Sequence, residues 1–312
     1  MKLSARALAL IAAAVTVLIW TSFIVIARAS AAHHLLPLDI AFLRIVGASC
    51  VLLPWGWWLT RSRQANAHES SLMGLSPLPL RMTALAGLFG SVFYAMLAYS
   101  GFFFAPAAHA SVLMPGSLPL WTSLLAIVFL HEHISRARGL GLACIVLGDM
   151  LVGGVSLLKA FEGGEVWKGD VFFMSAAFCW ACYSVLVRRH ALDPVRATIA
   201  ITAFASVTYV PIYAWIAYAG WIPSHLGEAP IAEVIFQAIY QGVGSVVISG
   251  ITFNVMVRHF GPVRSTMITA LVPGLSALGA VVFLNEPMSL NLLGGLALVT
   301  GGILFGVRSP KT

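Results

Sequence analysis

Two stretches of the sequence, 154 residues apart, carry the same pattern of residues. Residues 119–148 read PLWTSLLAIVFLHEHISRARGLGLACIVLG, and residues 273–302 read PGLSALGAVVFLNEPMSLNLLGGLALVTGG. The pairs that are identical at this offset include Pro119 and Pro273, Phe129 and Phe283, Leu130 and Leu284, Glu132 and Glu286, Gly141 and Gly295, and Gly148 and Gly302. The chain is therefore a duplication of one largely apolar unit. Duplicated apolar halves are typical of secondary transporters.

The composition excludes a soluble protein. The 312 residues are 60% hydrophobic and only 9% charged, whereas soluble domains carry roughly 25% charged residues. Because so few charges cannot cover a surface that faces water, lipid must be the solvent. The formal charge of +7 comes from basic residues scattered between apolar runs. This scatter indicates a membrane topology signal and no nucleic-acid partner.

Ten apolar stretches are each long enough to cross a bilayer as a helix. They lie near residues 6–28, 36–60, 83–104, 108–130, 138–158, 169–188, 196–219, 231–256, 264–284 and 289–307. Helices are required because an open sheet cannot satisfy its backbone in hydrocarbon. The sequence therefore predicts an all-α integral membrane protein with ten transmembrane helices. A first repeat over residues 1–158 and a second over 169–312 are joined by a loop over 159–168.

The distribution of basic residues predicts the orientation of these spans. Each half has five spans, an odd number, so the second half enters the membrane from the opposite side and the repeats should be inverted. A cytoplasmic N-terminus puts 14 of the 18 Lys and Arg residues on the cytoplasmic side and three outside. The 14 are Lys2, Arg6, Arg61, Arg63, Arg81, Arg136, Arg138, Arg188, Arg189, Arg196, Arg258, Arg264, Arg308 and Lys311. This bias predicts that both termini lie in the cytoplasm.

The sequence carries no motif of an enzyme or an ATP-driven pump. It has no phosphate-binding G-x-x-x-x-G-K-[ST] loop, no H-E-x-x-H and no G-x-S-x-G motif. Cys179 and Cys182 have C-x-x-C spacing, but within a span they are more simply two small apolar residues. His131 and His133 flank Glu132 in a basic loop, which we interpret as a solvated turn. We therefore expect no catalytic residue, no cofactor and no metal ion.

Three ionisable residues within spans are functional candidates, since buried charge is costly in lipid. Arg44 either lines a cavity and attracts an anionic group or extends to the outer interface. Asp149 either carries a proton or pairs with a neighbour such as Arg44. His109 is either a proton switch or a structural hydrogen-bonding residue. We take Arg44 and Asp149 as ion-coupling candidates and His109 as a substrate-binding candidate.

Prolines and mid-span aromatic residues predict the wall of a substrate cavity. Prolines interrupt spans 4 and 9 at corresponding positions; paired interruptions mark transport sites, and a simple kink is the alternative. Aromatic pairs at i, i+3 occur in spans 1 and 6, where plain helix packing is the alternative. The predicted substrate-binding residues are Trp20, Phe23, Tyr94, Tyr99, His109, Pro115, Pro119, Trp180, Tyr183, Asn254, Thr266, Thr269 and Pro273.

Together these features resemble the drug/metabolite transporter superfamily, EamA type. The resemblance covers nearly the whole chain. It rests on Trp20, Pro37 and Arg44, on residues 105–119 and 261–273, on F-L-x-E at 129–132 and 283–286, and on glycine-rich spans 5 and 10. The resemblance implies alternating access around a central cavity formed by spans 1, 3, 4, 6, 8 and 9, and export of small metabolites. His109, Pro115, Gly116 and Asp149 depart from the commonest pattern of the family.

We predict a multi-pass secondary transporter of the bacterial inner membrane that exports small amphipathic metabolites, with amino acids, including aromatic ones, as the leading class. A multidrug or toxic-cation exporter that uses Asp149 is the second prediction, and a non-transporting scaffold or receptor is the third. The expected partners are a small-molecule substrate and the lipid bilayer. Glycines in spans 5 and 10 allow close helix packing, so the chain is either a monomer or a homodimer through these spans.

Overall fold

The computed structural model describes residues 4–30, 33–62, 70–133, 135–160, 164–269 and 271–307. Over these residues the chain forms ten long helices, and each end lies within four residues of the predicted one. They are α1 (Ala5–Ser30), α2 (Pro37–Ser62), α3 (Leu80–Phe104), α4 (Ala107–Leu130), α5 (Arg136–Ala160), α6 (Val166–Arg189), α7 (Pro194–Tyr218), α8 (Ile231–Phe260), α9 (Pro262–Leu284) and α10 (Leu290–Val307).

The irregular parts of these helices also follow the duplication. The interior of α3 is π-helical over Leu88–Val92, and the interior of α8 is π-helical over Ala238–Ile248. The two segments overlap when the chain is shifted by 154 residues. The described parts of α9 are Pro262–Ile268 and Leu271–Leu284.

The two copies end their fourth helix in the same way. His131 and Asn285, which are 154 residues apart, have left-handed φ angles of 53° and 55°. One residue later, the backbone N–H of Glu132 donates to Ala126 (3.2 Å), and that of Glu286 donates to Ala280 (3.3 Å). These bonds satisfy carbonyls that the helix end would leave unpaired. The duplication therefore extends to backbone conformation where the side chains have diverged.

The composition of the helices indicates a multi-pass membrane protein. Among the described residues, eight helices (α1–α4 and α6–α9) are long and apolar enough to cross a membrane, and Leu290–Phe305 of α10 forms a shorter apolar helix. Large apolar side chains on outward faces, such as Leu18, Met150 and Phe283, are exposed as lipid contact would require. The all-helical prediction is confirmed, whereas ten crossings and their orientation stay predictions.

Contacts between the two halves occur in matched pairs. Helix α1 packs against α8 and α9, and its counterpart α6 packs against α3 and α4. Helix α2 packs against α8, and its counterpart α7 packs against α3. The pairs α2–α7 and α5–α10 join equivalent helices. Two copies related by an approximate two-fold axis give this arrangement.

Glycines bring α5 and α10 into backbone contact within one chain. A Cβ atom added to Gly295 would lie 2.9 Å from the carbonyl oxygen of Gly148, and one added to Gly302 would lie 2.4 Å from that of Gly141. Only residues without a side chain permit this approach. A homodimer through spans 5 and 10 stays a prediction, and it would have to use other faces of these helices because their glycine faces are already occupied.

Candidate functional site

A small, largely aromatic cavity lies between the two halves, with a volume of about 30 Å³. Helices α1, α3, α4, α6 and α9 contribute its walls. Five of the predicted substrate-binding residues line it, namely Trp20, Phe23, Tyr94, Pro115 and Trp180. The remaining lining residues are Ile24, Met114, Leu118, Ala177 and Val272, which the sequence analysis did not select. They are ordinary apolar residues, and only the helix rotation distinguishes them from residues that face lipid.

Ring contacts hold the aromatic wall together. Trp20 stacks on Phe253 with centroids 5.0 Å apart, and it meets Trp180 edge-on at 5.9 Å. Tyr94 lies 4.9 Å from Trp180. The indole Nε1 of Trp180 is buried and has no hydrogen-bond acceptor. The aromatic residues of spans 1 and 6 thus meet across the interface of the two halves. The indole N–H of Trp180 has no acceptor there and can donate to a bound ligand.

Arg44 lies behind this wall. Its guanidinium carbon is 5.6 Å from the ring centroid of Phe23 and 5.8 Å from that of Tyr94, distances typical of cation–π contacts. Nη1 donates to Ser245 Oγ at 2.8 Å and more weakly to Tyr99 Oη at 3.5 Å. The residue is only 5% exposed, and no described carboxylate forms an ion pair with it.

The π-helical segment of α8 supplies the polar partners of this corner. Ser245 accepts from Arg44, and Gln241 Oε1 accepts from Tyr99 Oη at 2.9 Å. A π-helical turn commonly occurs at functional sites, since the wider turn redirects side chains. Neither Gln241 nor Ser245 was predicted from the sequence. The available signal was weak, because Gln237, Ser249, Thr252 and Asn254 are further polar residues of the same span.

Tyr183 and Asn254 form a separate buried cluster near the cavity. Asn254 Nδ2 donates to Tyr183 Oη at 2.7 Å and to Thr198 Oγ1 at 3.2 Å. Neither Tyr183 nor Asn254 lines the cavity, although Tyr183 lies 5.3 Å from the ring of Trp180. The cluster therefore supports the aromatic wall from behind.

Four further predicted residues of α4 and α9 do not line the central cavity, and one of them, Thr266, lies at the contact between these helices. Thr266 Oγ1 is 3.0 Å from Thr122 Oγ1, and Thr269 Oγ1 donates to its own helix at the carbonyl of Thr266. Pro119 and Pro273 are buried in their helices and do not line the central cavity. Only Pro115, of the three prolines, faces the cavity directly.

His109 and Asp149 lie away from the central cavity. They belong to α4 and α5, at a second cavity of about 260 Å³ between α4, α5 and α6. Asp149 and Asp170 line this cavity, and His109 Nδ1 donates to Asp170 Oδ1 at 2.8 Å. Both carboxyl oxygens of Asp149 are buried without a hydrogen-bond partner. The interpretation that Asp149 pairs with Arg44 is therefore wrong, since Arg44 contacts different residues.

With this geometry established, comparison with known proteins identifies the family. Residues 7–154 and 167–308 match the model of the EamA-like transporter family. The chain belongs to the EamA-like transporter family. This EamA-family protein is accordingly a multi-pass membrane transporter.

Curated relatives resemble this EamA-family protein in sequence, and a solved structure resembles it in fold. An "Uncharacterized transporter YyaM" of Bacillus subtilis (strain 168) is 22% identical over 250 residues, which cover 76% of this chain and 79% of the relative. A "Probable amino-acid metabolite efflux pump" of Salmonella typhimurium (strain LT2) is 22% identical over 293 residues, which cover 90% and 89%. A solved protein structure matches 95% of both chains with a TM-score of 0.62 and 23% identity.

Proposed function

We propose that this protein is a secondary active exporter of small amphipathic metabolites, with amino acids, including aromatic ones, as the leading substrate class. The observation that carries the proposal is the buried guanidinium of Arg44, which has no carboxylate partner among the described residues. Its two ring contacts, Phe23 and Tyr94, both line the aromatic cavity. A carboxylate suits the guanidinium, and an apolar side chain suits the rings. The printed name of the Salmonella relative supports the same class.

The proposed mechanism is alternating access by ten crossing helices in two inverted repeats. Both termini lie in the cytoplasm, and the membrane is the bacterial inner membrane. The cavity volume of about 30 Å³ has room for only about two or three water molecules, since one water needs about 10–15 Å³ of such space. A metabolite therefore requires the halves to separate, with Pro115, Pro119 and Pro273 as flexible points because proline removes a helix hydrogen bond.

Glu286 ties three helices together at one end of the cavity. Its carboxylate accepts from Arg28 Nε of α1 at 3.0 Å and from the backbone N–H groups of Ala107 and Ala108 of α4 at 3.3 and 3.2 Å. At the equivalent position of the first copy, Glu132 lies 3.8 Å from Arg138. In the proposed orientation, the Glu286 contacts close the outer side.

A second candidate function is export of toxic cations. The buried and unpartnered carboxyl of Asp149 favours it, since acids within membranes commonly bind cationic cargo or protons. Loss of resistance to quaternary ammonium compounds in Asp149→Asn, with unchanged metabolite export, would favour this alternative over the first proposal.

The proposal is tested by profiling the medium of bacteria that overproduce the protein, using mass spectrometry. One carboxylate-bearing class should accumulate outside, and Trp20→Ala should lower its export about tenfold, equivalent to 1.4 kcal/mol. Trp57→Ala is the matched control because Trp57 is exposed far from the cavity wall. Arg44→Gln should reduce export of carboxylates more than that of uncharged analogues. A profile equal to that of empty-vector cells would contradict export, and equal effects of both tryptophan variants would contradict the cavity assignment.

A further inference from the structure

The second cavity contains a buried acid that has no role in the proposed substrate site. Asp149 lies near the middle of α5 and is 5% exposed. Neither of its carboxyl oxygens has a hydrogen-bond partner. A buried carboxylate without a donor or a cation is strongly unfavourable, whereas the neutral acid is tolerated. The position does not require an acid for packing, because the equivalent residue of the second copy is Ile303, which is fully buried.

We propose that Asp149 is a proton-binding site that couples export to the proton gradient, acting on the substrate cavity through Pro115 and Gly116 of α4. The coupling rests on the proposed function, but proton binding by Asp149 does not.

Helix α4 separates the two cavities and touches both. Pro115 and Leu118 line the central cavity, and Leu120 lines the cavity of Asp149. A Cβ atom added to Gly116 would lie 3.7 Å from Asp149 Oδ1. The carboxyl group thus lies beside α4, one residue away from the proline that faces the substrate cavity. A change of charge at Asp149 acts directly on the segment that forms the cavity wall.

The walls of the second cavity suit a proton better than a metal ion. Besides Asp149 and Asp170 they consist of Leu120, Val146, Met150, Gly154, Trp167, Val171 and Met174. Hard cations need several oxygen ligands, as the six to eight of calcium sites illustrate. These walls do not offer such a set, and the described residues contain no group of three His, Cys, Asp or Glu side chains that could hold a metal ion. A proton needs a single oxygen.

The titratable groups around Asp149 lie on one side of it. Asp170 of α6 shares the cavity, and His109 of α4 is bonded to Asp170. Helix α10, which packs on the other side of α5, contains no titratable residue over Leu290–Val307. In the proposed orientation, Asp170 and His109 are near the outer ends of their helices. They therefore place two proton-exchanging groups between the outside and Asp149.

In this proposal one proton, held by the single carboxyl group of Asp149, is exchanged for one substrate molecule. A proton arriving from the outer side neutralises Asp149, and the neutral acid packs against Gly116. Release of that proton to the cytoplasm leaves a charge that the apolar contact does not accommodate. The conformation in which α4 has moved away from Asp149 is then favoured, and this movement of α4 opens the substrate cavity. No bond other than that to the proton forms or breaks.

The first part of the test needs no substrate. Infrared spectra of the purified full-length protein, recorded across a pH titration, should show a carboxylic-acid C=O band that disappears on deprotonation. Asp149→Asn should abolish this band, and Glu165→Gln should leave it unchanged, because Glu165 is an exposed carboxylate at the start of α6. An unchanged band in Asp149→Asn would overturn the proton site. Thermal unfolding of both variants shows whether each is folded.

The second part uses proteoliposomes loaded with the metabolite identified in the medium. In the wild type, a gradient of one pH unit should support about tenfold accumulation, the ratio that one proton per substrate provides. Asp149→Asn should lose this response while retaining exchange of labelled for unlabelled metabolite. A response that persists in Asp149→Asn, or one driven by a sodium gradient instead, would overturn the coupling proposal. If the wild type moves no metabolite, the proposed function fails, and the infrared titration alone decides whether Asp149 binds a proton.

Discussion

The aspartates at positions 39 and 193 are equivalent residues of the two copies with very different surroundings. Asp39 is fully buried. Its four donors are Leu36 N (2.9 Å), Ser224 Oγ (2.7 Å), His225 N (3.0 Å) and the hydroxyl of Tyr213. Asp193 is half exposed and caps α7 through the N–H groups of Val195 and Arg196. The same residue thus serves as a joint between helices in one half and as a surface cap in the other.

The duplication therefore provides its own control for a stability prediction. We expect Asp39→Ala to lower the free energy of unfolding by about 3 kcal/mol or more, because several buried donors lose a charged acceptor. Asp193→Ala should cost about 1 kcal/mol, the usual effect of losing a helix cap. Thermal unfolding of both variants in detergent measures the difference. Equal losses of stability in the two variants would contradict the role of Asp39 in joining helices.

Single residues also show how far the sequence could predict the site. Trp20 and Trp180 were found because tryptophan is unusual at mid-depth of a span. Leu118, Ala177 and Val272 carry no such signal, since their role depends on helix rotation. For the same reason the sequence left two alternatives open for Asp149, proton binding or pairing with a neighbour such as Arg44. The fold excludes the pair with Arg44, because it places Ser245 beside the guanidinium.

At the level of elements, the ten helices were predictable and their internal irregularities were not. Apolar runs of sufficient length define spans almost by themselves. The π-helical parts of α3 and α8 could not be recognised from composition, because their residue types, including polar ones such as Gln241 and Ser245, also occur in the regular parts of the helices. The tight contact of α5 and α10 was predictable only as a preference for small residues. Which glycines touch depends on the packing angle.

Two adjacent glycines of α10 test this contact. A Cβ atom on Gly302 would lie 2.4 Å from the carbonyl oxygen of Gly141, whereas one on Gly301 would have nothing within 4 Å. We expect Gly302→Ala to destabilise the protein by about 1–3 kcal/mol through overpacking. Gly301→Ala should be neutral or stabilising by up to about 1 kcal/mol, since alanine favours a helix. Unfolding midpoints of the pair in detergent measure both effects, and similar midpoints would argue against the close contact.

At the scale of the whole molecule, the two ends of the substrate cavity are held unequally. Glu286 joins α1 and α4 through three hydrogen bonds, while Glu132 has one longer ion pair, to Arg138 in the first turn of α5. In the alternating-access mechanism that we propose, these two ends exchange roles during transport. The described conformation is therefore the one in which the Glu286 side is shut.

Removing the Glu286 carboxylate should shift the equilibrium toward opening on that side. Each hydrogen bond to the charged group contributes about 1.5–3 kcal/mol, so its loss should make the open state more populated. The reporter is a cysteine at position 114, since Met114 lies in the wall of the buried cavity. This cysteine should react at least about tenfold faster with an impermeant maleimide added outside. The comparison is Glu286→Ala against Glu132→Ala in the Met114→Cys background. The native cysteines replaced by serine are Cys50, Cys144, Cys179 and Cys182. Equal labelling rates would show that Glu286 does not hold this side closed.

The glycine contact between α5 and α10 also bears on how the chain is synthesised. Helix α5 ends at Ala160, and α10 begins only at Leu290. At roughly 5–20 residues per second, the ribosome needs on the order of ten seconds to make the intervening segment. Throughout that interval the glycine face of α5 lacks α10, the helix that covers it in the folded protein. The last helix to be inserted therefore completes the packing of the first half, and biogenesis of both halves finishes in a single late step.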